Sequence, residues 1–369
     1  MAKLPPSVAR LRIAVRDALA DLPAGSLALV ACSGGPDSLA LADTLAFCAP
    51  RMGLRAGLVT VDHGLQDGSD ERATEVADWA NRVGFEPALQ VAVEVGSDGG
   101  PEAAARTARY AALDAAAQRH GADAILLGHT RDDQAETVLL ALARGGGPRG
   151  IAAMRAVRGR YRRPLLAIAR ADTHAACAER GLKPWTDPHN TDPRFLRSAL
   201  RPALEVLVET LGEDVVANLA RTAALVGADT DFLDGLARET LEACRAETGG
   251  AGRGSAKGDA DLNAGEDGGS RSSAGGSGEG RDRDGGLDAK RLAALAGPVR
   301  QRVLRTWVLE SGADGAALNH RHLDAVDALV ADWRGQGPTF LPGGIAVRRS
   351  GGRLTAARTD EAQGQRRFG

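Results

Sequence analysis

The chain has 369 residues, 43% of them hydrophobic and 25% charged, and a formal net charge of −2, which is the composition of a globular protein of two or three domains. It contains no run of about 18 apolar residues, which excludes a membrane-spanning helix, and its 47 glycines follow no G-X-Y period, which excludes collagen. The four cysteines form no C-x-x-C pair, which argues against a disulfide framework, a zinc ribbon or an iron–sulfur cluster and predicts a cytoplasmic protein.

The first predicted element is an amphipathic helix within residues 1–22. Val8, Leu11, Val15 and Leu19 recur at the spacing that places side chains on one helical face. The segment lacks the continuous apolar core and the small-residue cleavage site of a signal peptide. It is therefore interpreted as a helix and not as a targeting signal.

Short apolar runs then alternate with amphipathic runs as far as residue 144. Strands are predicted at 27–32, 56–61, 89–95 and 124–127, and helices at 38–49, 70–83, 101–120 and 131–144. Strands separated by single helices predict the α/β fold class, with a doubly wound parallel sheet covered on both faces. Ligands of such sheets bind at the carboxyl ends of the strands, so the residues that follow each strand are the candidates for chemistry.

A glycine-rich loop connects the first strand to its helix. Its six residues are Ser33, Gly34, Gly35, Pro36, Asp37 and Ser38. Glycines let the backbone approach an anion closely, and a helix N-terminus offers unpaired N–H groups and the positive end of the helix dipole. No Lys follows the glycines, so the loop is not a Walker A loop. The alternative interpretation is a plain strand–turn–helix connection capped by Ser.

Asp62 and His63 stand at the end of the second strand, where the same rule places ligands. A turn in which Asp62 caps the following helix explains them equally well. These two residues are therefore candidates on position alone.

After the fourth strand, His129, Asp133 and Glu136 occur in the string GHTRDDQAET. Residues three apart on a helix share a face, so these side chains are expected at the mouth of the crevice that holds the glycine-rich loop. Carboxylates there could bind Mg²⁺ or an ammonium group, or accept a proton. The alternative, acidic residues that favour the helix dipole at its first turn, does not account for the histidine.

The predicted helix 101–120 presents Glu102, Arg106 and Arg109 on one stripe. A solvated charged face is the ordinary interpretation of such a stripe. The functional alternative is that Arg106 or Arg109 meets a phosphate or a carboxylate.

Residues 144–201 form a basic block, with 13 Arg and Lys against four Asp and Glu. Within it Arg194, Arg197 and Arg201 recur at helical spacing, a stripe suited to a phosphate backbone. The alternative is an ordinary basic surface helix. The near-neutral total charge thus conceals a candidate surface for nucleic acid.

The rest of the chain predicts a helical segment, a linker and a second small domain. Residues 247–286 hold 14 glycines in 40 positions, a composition that cannot bury enough surface to fold and that predicts a flexible linker. Helices are predicted at 288–309 and 320–333, and a hairpin at 341–355. The predicted organisation is an α/β domain in 1–201, a helical segment in 202–246, the linker in 247–286 and an α+β domain in 287–369.

The loop string SGGPDS resembles the signature of the PP-loop ATP pyrophosphatases, which cleave ATP between its α- and β-phosphates. It is followed by VDHGLQ, EAAART, GHTRDDQAET and DPHNTDPRFLR, and this combination resembles the tRNA(Ile)-lysidine synthetase family across residues 26–201. The chain departs from that family in its glycine-rich linker and in Ser198, where Asn is expected. It also ends soon after the hairpin, which predicts that the further C-terminal domain of longer members is missing.

The resemblance implies a ligase that uses ATP and Mg²⁺ to join free L-lysine to the wobble cytidine of tRNA(Ile) with a CAU anticodon, through an adenylated cytidine. It implies catalytic roles for Asp37, Arg109, His129, Asp133 and Glu136, ATP binding by residues 33–38 with Asp62 and His63, and Mg²⁺ binding by Asp37 and Asp133. Arg149, Arg194, Arg197 and Arg201 are the implied tRNA contacts. The oligomeric state stays open, with a homodimer as one alternative.

Three other functions compete with this interpretation. A tRNA thiolase of the same superfamily would also adenylate a base, but such enzymes usually carry a cysteine pair near the site. An ATP pyrophosphatase acting on a small molecule would not need the basic block. A non-catalytic nucleotide-binding module would not need His129, Asp133 and Glu136 beside the loop.

Overall fold

The computed structural model describes residues 4–64, 68–96, 100–185, 196–245 and 286–359. The chain divides into two compact units, Met1–Thr230 and Asp231–Gly369. Apart from Gly286, the predicted linker lies outside the described residues, and the domain boundaries drawn from the sequence stay predictions.

In the first unit, strands and helices alternate along the chain. The strands are β1 (Leu27–Ala31), β2 (Arg55–Asp62), β3 (Ala88–Ala92), β4 (Ala124–Leu127), β5 (Val157–Arg158) and β6 (Tyr161–Arg162). The helices are α1 (Pro6–Ala18), α2 (Pro36–Arg51), α3 (Ser69–Val83), α4 (Pro101–His120), α5 (Arg131–Ala143), α6 (Pro148–Ile151), α7 (Arg170–Glu179), α8 (Leu196–Leu211) and the first part of α9 (Val215–Cys244), with a 3₁₀ turn at Pro164–Ala167. No helix in the described ranges is long and apolar enough to cross a membrane.

The six strands form one sheet in the order β3-β2-β1-β4-β6-β5. All neighbouring pairs are parallel except β5 and β6. Alternate residues of β1 enter two hydrophobic cores on opposite faces of the sheet. Ala28 and Val30 pack in the core formed with α1, α2 and α7, whereas Leu27 and Leu29 pack in the core formed with α4. Because helices cover both faces, β1 and β4 are buried throughout. The predicted doubly wound parallel sheet is confirmed.

The basic block contains structure that the sequence pattern did not predict. The strands β5 and β6 and the helix α6 are two to four residues long, too short to show a hydrophobic period. The helix α7 buries only the small side chains Thr173, Ala176 and Cys177, so its apolar face is weak in the sequence. It nevertheless packs against α1 and α2, and its first residues reach the crevice described below.

The second unit contains the end of α9, the helices α10 (Ala289–Ala293), α11 (Gly297–Glu310) and α12 (His320–Ala331), and the strands β7 (Leu287–Asp288), β8 (Thr339–Leu341), β9 (Ile345–Ser350) and β10 (Arg353–Arg358). The strands form an antiparallel sheet in the order β7-β10-β9-β8. The predicted α+β class is confirmed, and the hairpin turns at Gly351 and Gly352, both with positive φ as a two-residue turn of type I′ requires. The predicted helix 288–309 is instead two helices, because the chain leaves the helical conformation after Ala294 and Ala296, with ψ 138°, is the N-cap of a new helix that has Pro298 in its first turn.

Candidate active site

A crevice of about 400 Å³ lies at the carboxyl ends of β1 and β4 in the first unit. Its lining combines predicted residues with others that the sequence did not single out. The predicted members are Ser33, Gly35, Pro36, Asp37, Ser38, Arg109, His129, Asp133 and Arg201, and the new members are Ala31, Gly128, Arg170, His174 and Trp185. The predicted residues that follow β1 and β4 thus share one crevice, as expected for the ends of parallel strands.

The glycine-rich loop is held by its own serines. The hydroxyl of Ser38 accepts a hydrogen bond from the backbone N–H of Ser33 at 3.1 Å and donates to the carbonyl of Gly35 at 3.0 Å. Gly34 has φ +81°, a conformation that only glycine adopts readily. The helix α2 begins at Pro36 with no side-chain cap, so its first N–H groups are left for an anion.

Gly128 brings β4 into close contact with the start of α2. A Cβ atom at this position would lie 3.0 Å from Cα of Ser38 and 3.1 Å from the carbonyl carbon of Asp37. Both neighbours are backbone atoms, which cannot rotate away. A side chain at this position would therefore force the loop and the β4 terminus apart by a few tenths of an ångström.

Gly128→Ala is accordingly expected to push the start of α2 away from β4. We expect a loss of about 1–3 kcal/mol in stability, the usual cost of overpacking, and several-fold weaker binding of ATP, the ligand implied by the resemblance of the loop to those of PP-loop ATP pyrophosphatases. Thermal unfolding and calorimetric ATP titration measure the two effects. Gly96→Ala is the matched control, because a Cβ there meets nothing within 4 Å. ATP binding as tight as in the unmodified chain would contradict this account of Gly128.

Arg170, at the start of α7, joins three carboxylates that come from two other helices. Its guanidinium lies 2.8 Å from Asp133, 3.3 Å from Glu136 and 3.7 Å from Asp37. Its backbone N–H also donates to the carboxylate of Asp132 at 2.8 Å. Arg170 is thus the cation at the centre of the site, and sequence reasoning missed it within the basic block.

Asp133 has a structural task as well as a place in the crevice. Its Oδ2 accepts hydrogen bonds from the backbone N–H and the hydroxyl of Thr130 at 2.6 and 2.9 Å, which caps α5. Burial alone would raise the pKa of this carboxyl, but Arg170 and the Thr130 N–H outweigh it and hold the pKa below the usual value. Asp133 is therefore ionised, and the capping interpretation and the site interpretation of the sequence both apply to it.

Glu136 lies beneath the crevice and is not part of its lining. Its side chain is 1% exposed, and Oε1 accepts from Arg170 at 3.3 Å and from Arg201 at 3.2 Å. Its other oxygen, Oε2, is buried with no hydrogen-bond partner among the described residues. Two arginines from separate helices thus share one carboxylate, which ties α5 to α7 and α8.

Asp37 differs from Asp133 in its electrostatic surroundings. Thr173 donates a short hydrogen bond to its Oδ1. Burial raises the pKa of Asp37, and the nearby charge of Asp133 adds to that effect, while Thr173 and Arg170 oppose it only in part. Two neighbouring carboxylates thus have pKa values displaced in opposite directions, a pattern common where carboxylates take different chemical roles.

The pair Asp62 and His63 stands apart from the crevice lining. Asp62 accepts a hydrogen bond from the backbone N–H of Gly64 at 2.9 Å, the local turn that the alternative interpretation anticipated. His63 is held neutral, because burial and the charge of Arg109 lower its pKa. Their predicted contact with ATP remains a prediction.

Three of the four predicted tRNA contacts lie within the described residues, on the helices α6 and α8. Arg149 is exposed on α6, and Arg201 faces the crevice and bonds to Glu136. Arg197 lies on α8, and Arg194 lies outside the described residues. The predicted basic stripe therefore has one member, Arg201, that lines the crevice.

The carboxylates fit Mg²⁺ only in company with a phosphate ligand. No group of three or more His, Cys, Asp or Glu among the described residues could hold a metal ion. Mg²⁺ in nucleotide sites is usually bound by one or two carboxylates together with phosphates and water. Asp37 and Asp133, which interact electrostatically across the crevice, are the two carboxylates available for such a site.

Two family models match the chain. One described as a PP-loop domain matches residues 10–207, and one described as a TilS substrate binding domain matches residues 287–355. The chain is similar to proteins named tRNA(Ile)-lysidine synthase from Salinispora arenicola (52% identical, covering 96% of this chain and 98% of the relative) and Thermobifida fusca (50% identical, 95% and 97%). A protein of the same name from Mycobacterium tuberculosis is 42% identical, with 96% and 95% covered.

A solved structure resembles part of the chain. It is the U34-tRNA thiolase NcsA from Methanococcus maripaludis with its iron–sulfur cluster, which matches with a TM-score of 0.50 at 17% identity over 60% of this chain and 80% of that chain. A likeness at this level of identity shows a shared fold and nothing about the reaction.

Proposed function

The chain belongs to the tRNA(Ile)-lysidine synthase family, and on that premise we propose that it joins free L-lysine to carbon 2 of the wobble cytidine in a tRNA(Ile) with a CAU anticodon. The observation that supports this most directly is one crevice that unites an anion-binding loop with a carboxylate cluster. The modified base then pairs with A in place of G, so the tRNA changes from the AUG codon to the AUA codon. We place the protein in the cytoplasm.

The reaction proceeds in two displacements. The O2 atom of the cytidine attacks the α-phosphorus of ATP, an O–P bond forms and pyrophosphate leaves. The ε-amine of lysine then attacks carbon 2, the bond between that carbon and O2 breaks, and AMP departs with the oxygen. The nitrogen gives up its protons to a base in the crevice or to solvent.

The phosphates of ATP lie on the loop of residues 33–38 at the start of α2. Asp37 and Asp133 would hold a Mg²⁺, and its charge would offset that of the phosphates. Asp37 lies in the first turn of α2 and its side chain is 23% exposed, so its carboxylate is accessible from the crevice.

The carboxylate cluster is the proposed site for the lysine side chain. Arg170 and Arg201 carry one positive charge fewer than the three carboxylates Asp37, Asp133 and Glu136 carry negative charges when ionised. The charge of a Mg²⁺ would be offset by the ATP phosphates, so Asp133 and Glu136 are the carboxylates proposed to attract the ammonium group. Asp133 reaches the crevice directly, whereas Glu136 acts from beneath it. Arg109 contacts the lysine carboxylate or the phosphate oxygens, and His129 contacts the α-phosphate or the departing AMP.

The tRNA contacts follow the basic surface. Arg149, Arg194 and Arg197 bind phosphates of the anticodon arm, Arg201 binds close to the reacting nucleotide, and the second unit binds the tRNA elsewhere. The anticodon loop is single-stranded, so little energy is needed to turn its base into the crevice.

The cysteines of this chain do not favour sulfur transfer. Burial raises the pKa of Cys32, and burial with the nearby Asp37 charge raises that of Cys177 to about 12. Both side chains are therefore neutral thiols at neutral pH, whereas sulfur chemistry needs a thiolate or a metal cluster.

A release assay tests the proposed function. With ATP and a tRNA(Ile) transcript that has a CAU anticodon, we expect pyrophosphate release, and with added lysine we expect AMP release and a nucleoside whose mass corresponds to lysidine. A transcript with U in place of the wobble C is the matched control and should give neither product. Sulfur incorporation into the tRNA, or AMP release independent of lysine, would contradict the proposal.

A further inference from the structure

A second polar cavity lies in the first unit, between α4 and the β5–β6 hairpin. It has a volume of about 510 Å³, and its walls include Arg106 and Tyr110 of α4 together with Arg158, Arg160, Tyr161 and Arg163. None of these residues lines the catalytic crevice. We call this cavity the arginine–tyrosine pocket.

The arginine–tyrosine pocket has a strong positive charge. Among the described residues, no carboxylate forms an ion pair with Arg106, Arg158, Arg160 or Arg163. Asp114 also lines the cavity, and burial together with the nearby Asp114 carboxylate raises the pKa of Tyr161. The cavity thus holds four arginines and one acidic residue, and the arginines form no ion pairs with the described carboxylates. A concave site with this excess of positive charge favours an anionic ligand.

The pocket also contains the only two tyrosines of the chain. The rings of Tyr110 and Tyr161 lie 5.0 Å apart at 59°, and the guanidinium of Arg106 lies 4.9 Å from the centre of the Tyr110 ring. Planar groups of this kind are surfaces on which an unpaired base can stack. In a chain with 3% aromatic residues, their concentration here is unusual.

Arg163 gives the pocket a rigid floor. It is 5% exposed, and it donates to the carbonyl of Arg155 at 2.9 Å and to the hydroxyl of Tyr110 at 3.4 Å. Its Nε is buried with no hydrogen-bond partner among the described residues. A buried guanidinium with a donor still unused is a site that an anionic oxygen would satisfy.

We propose that the arginine–tyrosine pocket binds a phosphodiester of the tRNA substrate and stacks its neighbouring base, a few nucleotides from the cytidine in the crevice. The inference rests on the proposed function, since it assigns a second contact to the same RNA. Arg106 and Tyr110 flank Arg109 on α4, and Arg109 lines the crevice. Side chains three residues apart on a helix lie about 5–6 Å apart, so one strand of RNA can contact both sites.

The double variant Arg158→Ala/Arg160→Ala tests the proposal, because both side chains are exposed on the hairpin and neither lies in the crevice. We expect the affinity for the tRNA transcript to fall about tenfold, and the slope of log affinity against log salt to become shallower by about 1 for each phosphate that the variant no longer binds. Affinity for ATP should not change. Arg119→Ala is the matched control, an exposed arginine of α4 outside the pocket.

The bound phosphate is identified with an anticodon stem-loop RNA that has one neutral methylphosphonate at a time. One position should weaken binding to the unmodified chain and have no further effect on the double variant. Unchanged tRNA affinity and salt slope would overturn the proposal, and so would an effect on ATP affinity alone. These are binding measurements without turnover, so a chain that binds the RNA through this pocket but makes no lysidine would contradict the proposed function and not the pocket.

Discussion

Replacing Arg170 with Ala is expected to lower the free energy of unfolding by about 3–5 kcal/mol, the range measured when one partner of a buried ion pair is removed, and to abolish lysidine formation. Arg170 contacts Asp133, Glu136 and Asp37 from the start of α7. Without it, the ion pair with Arg201 is what remains to Glu136 at 1% exposure, and Asp133 keeps its Thr130 cap and the weaker effect of His129. The cost therefore arises from carboxylates that stay buried with too little compensating positive charge.

Urea unfolding at several pH values measures this effect. Arg170 contributes to holding the pKa of Asp133 below its usual value, so the stability from this pair is present above the unfolded pKa of about 3.9 and is lost as the pH falls through the folded pKa. The difference between the unmodified chain and Arg170→Ala should thus be largest near neutral pH and shrink on acidification.

Arg180→Ala is the matched control at the other end of α7. Arg180 pairs with Asp43 at 2.9 Å, but its side chain is 44% exposed, and exposed pairs contribute about 1 kcal/mol or less. Equal losses of stability in the two variants would contradict a central role for Arg170. The same role would be contradicted more directly if Arg170→Ala unfolded at the same urea concentration as the unmodified chain.

Local sequence signals account for what could be predicted of the fold. β4 was predicted with its observed ends, because four apolar residues stand between a charged residue, Asp123, and a glycine, Gly128. The glycine-rich loop and the GHTRDDQAET string were assigned to one crevice, because both follow strands of a parallel sheet.

Arg170 could not be predicted in this way. Its partners Asp133 and Glu136 lie 37 and 34 residues earlier in the chain, and only tertiary packing of α7 brings them together. The need for glycine at position 128 could not be predicted either, because the backbone atoms that a side chain there would meet belong to Asp37 and Ser38, which are distant in the sequence. The sequence placed Asp133 and Glu136 on one helical face but held no signal for which of them is buried.

Asp37→Asn is expected to produce a chain that is more stable than the original and almost inactive. Burial raises the pKa of Asp37, so the ionised carboxyl is less favourable in the folded state than in the unfolded one. The stability from its protonated form is present below the unfolded pKa and is lost as the pH rises through the folded pKa. Asn resembles the protonated form in shape and neutrality and still accepts the hydrogen bond of Thr173, so at neutral pH it removes this cost.

The same change removes a charge on which the proposed chemistry depends. If Asp37 holds Mg²⁺ at the phosphates, pyrophosphate release should fall about 10²-fold or more, the scale of losing one preorganised electrostatic group. Urea unfolding and the release assay are measured on the same preparation, with Asp43→Asn on the same helix as the control that should change little in activity. A variant that is stabilised and fully active would show that Asp37 is a buried structural acid, and one that loses both stability and activity would refute the electrostatic account. Higher stability with lost turnover is the outcome that only a functional, uncompensated carboxylate predicts.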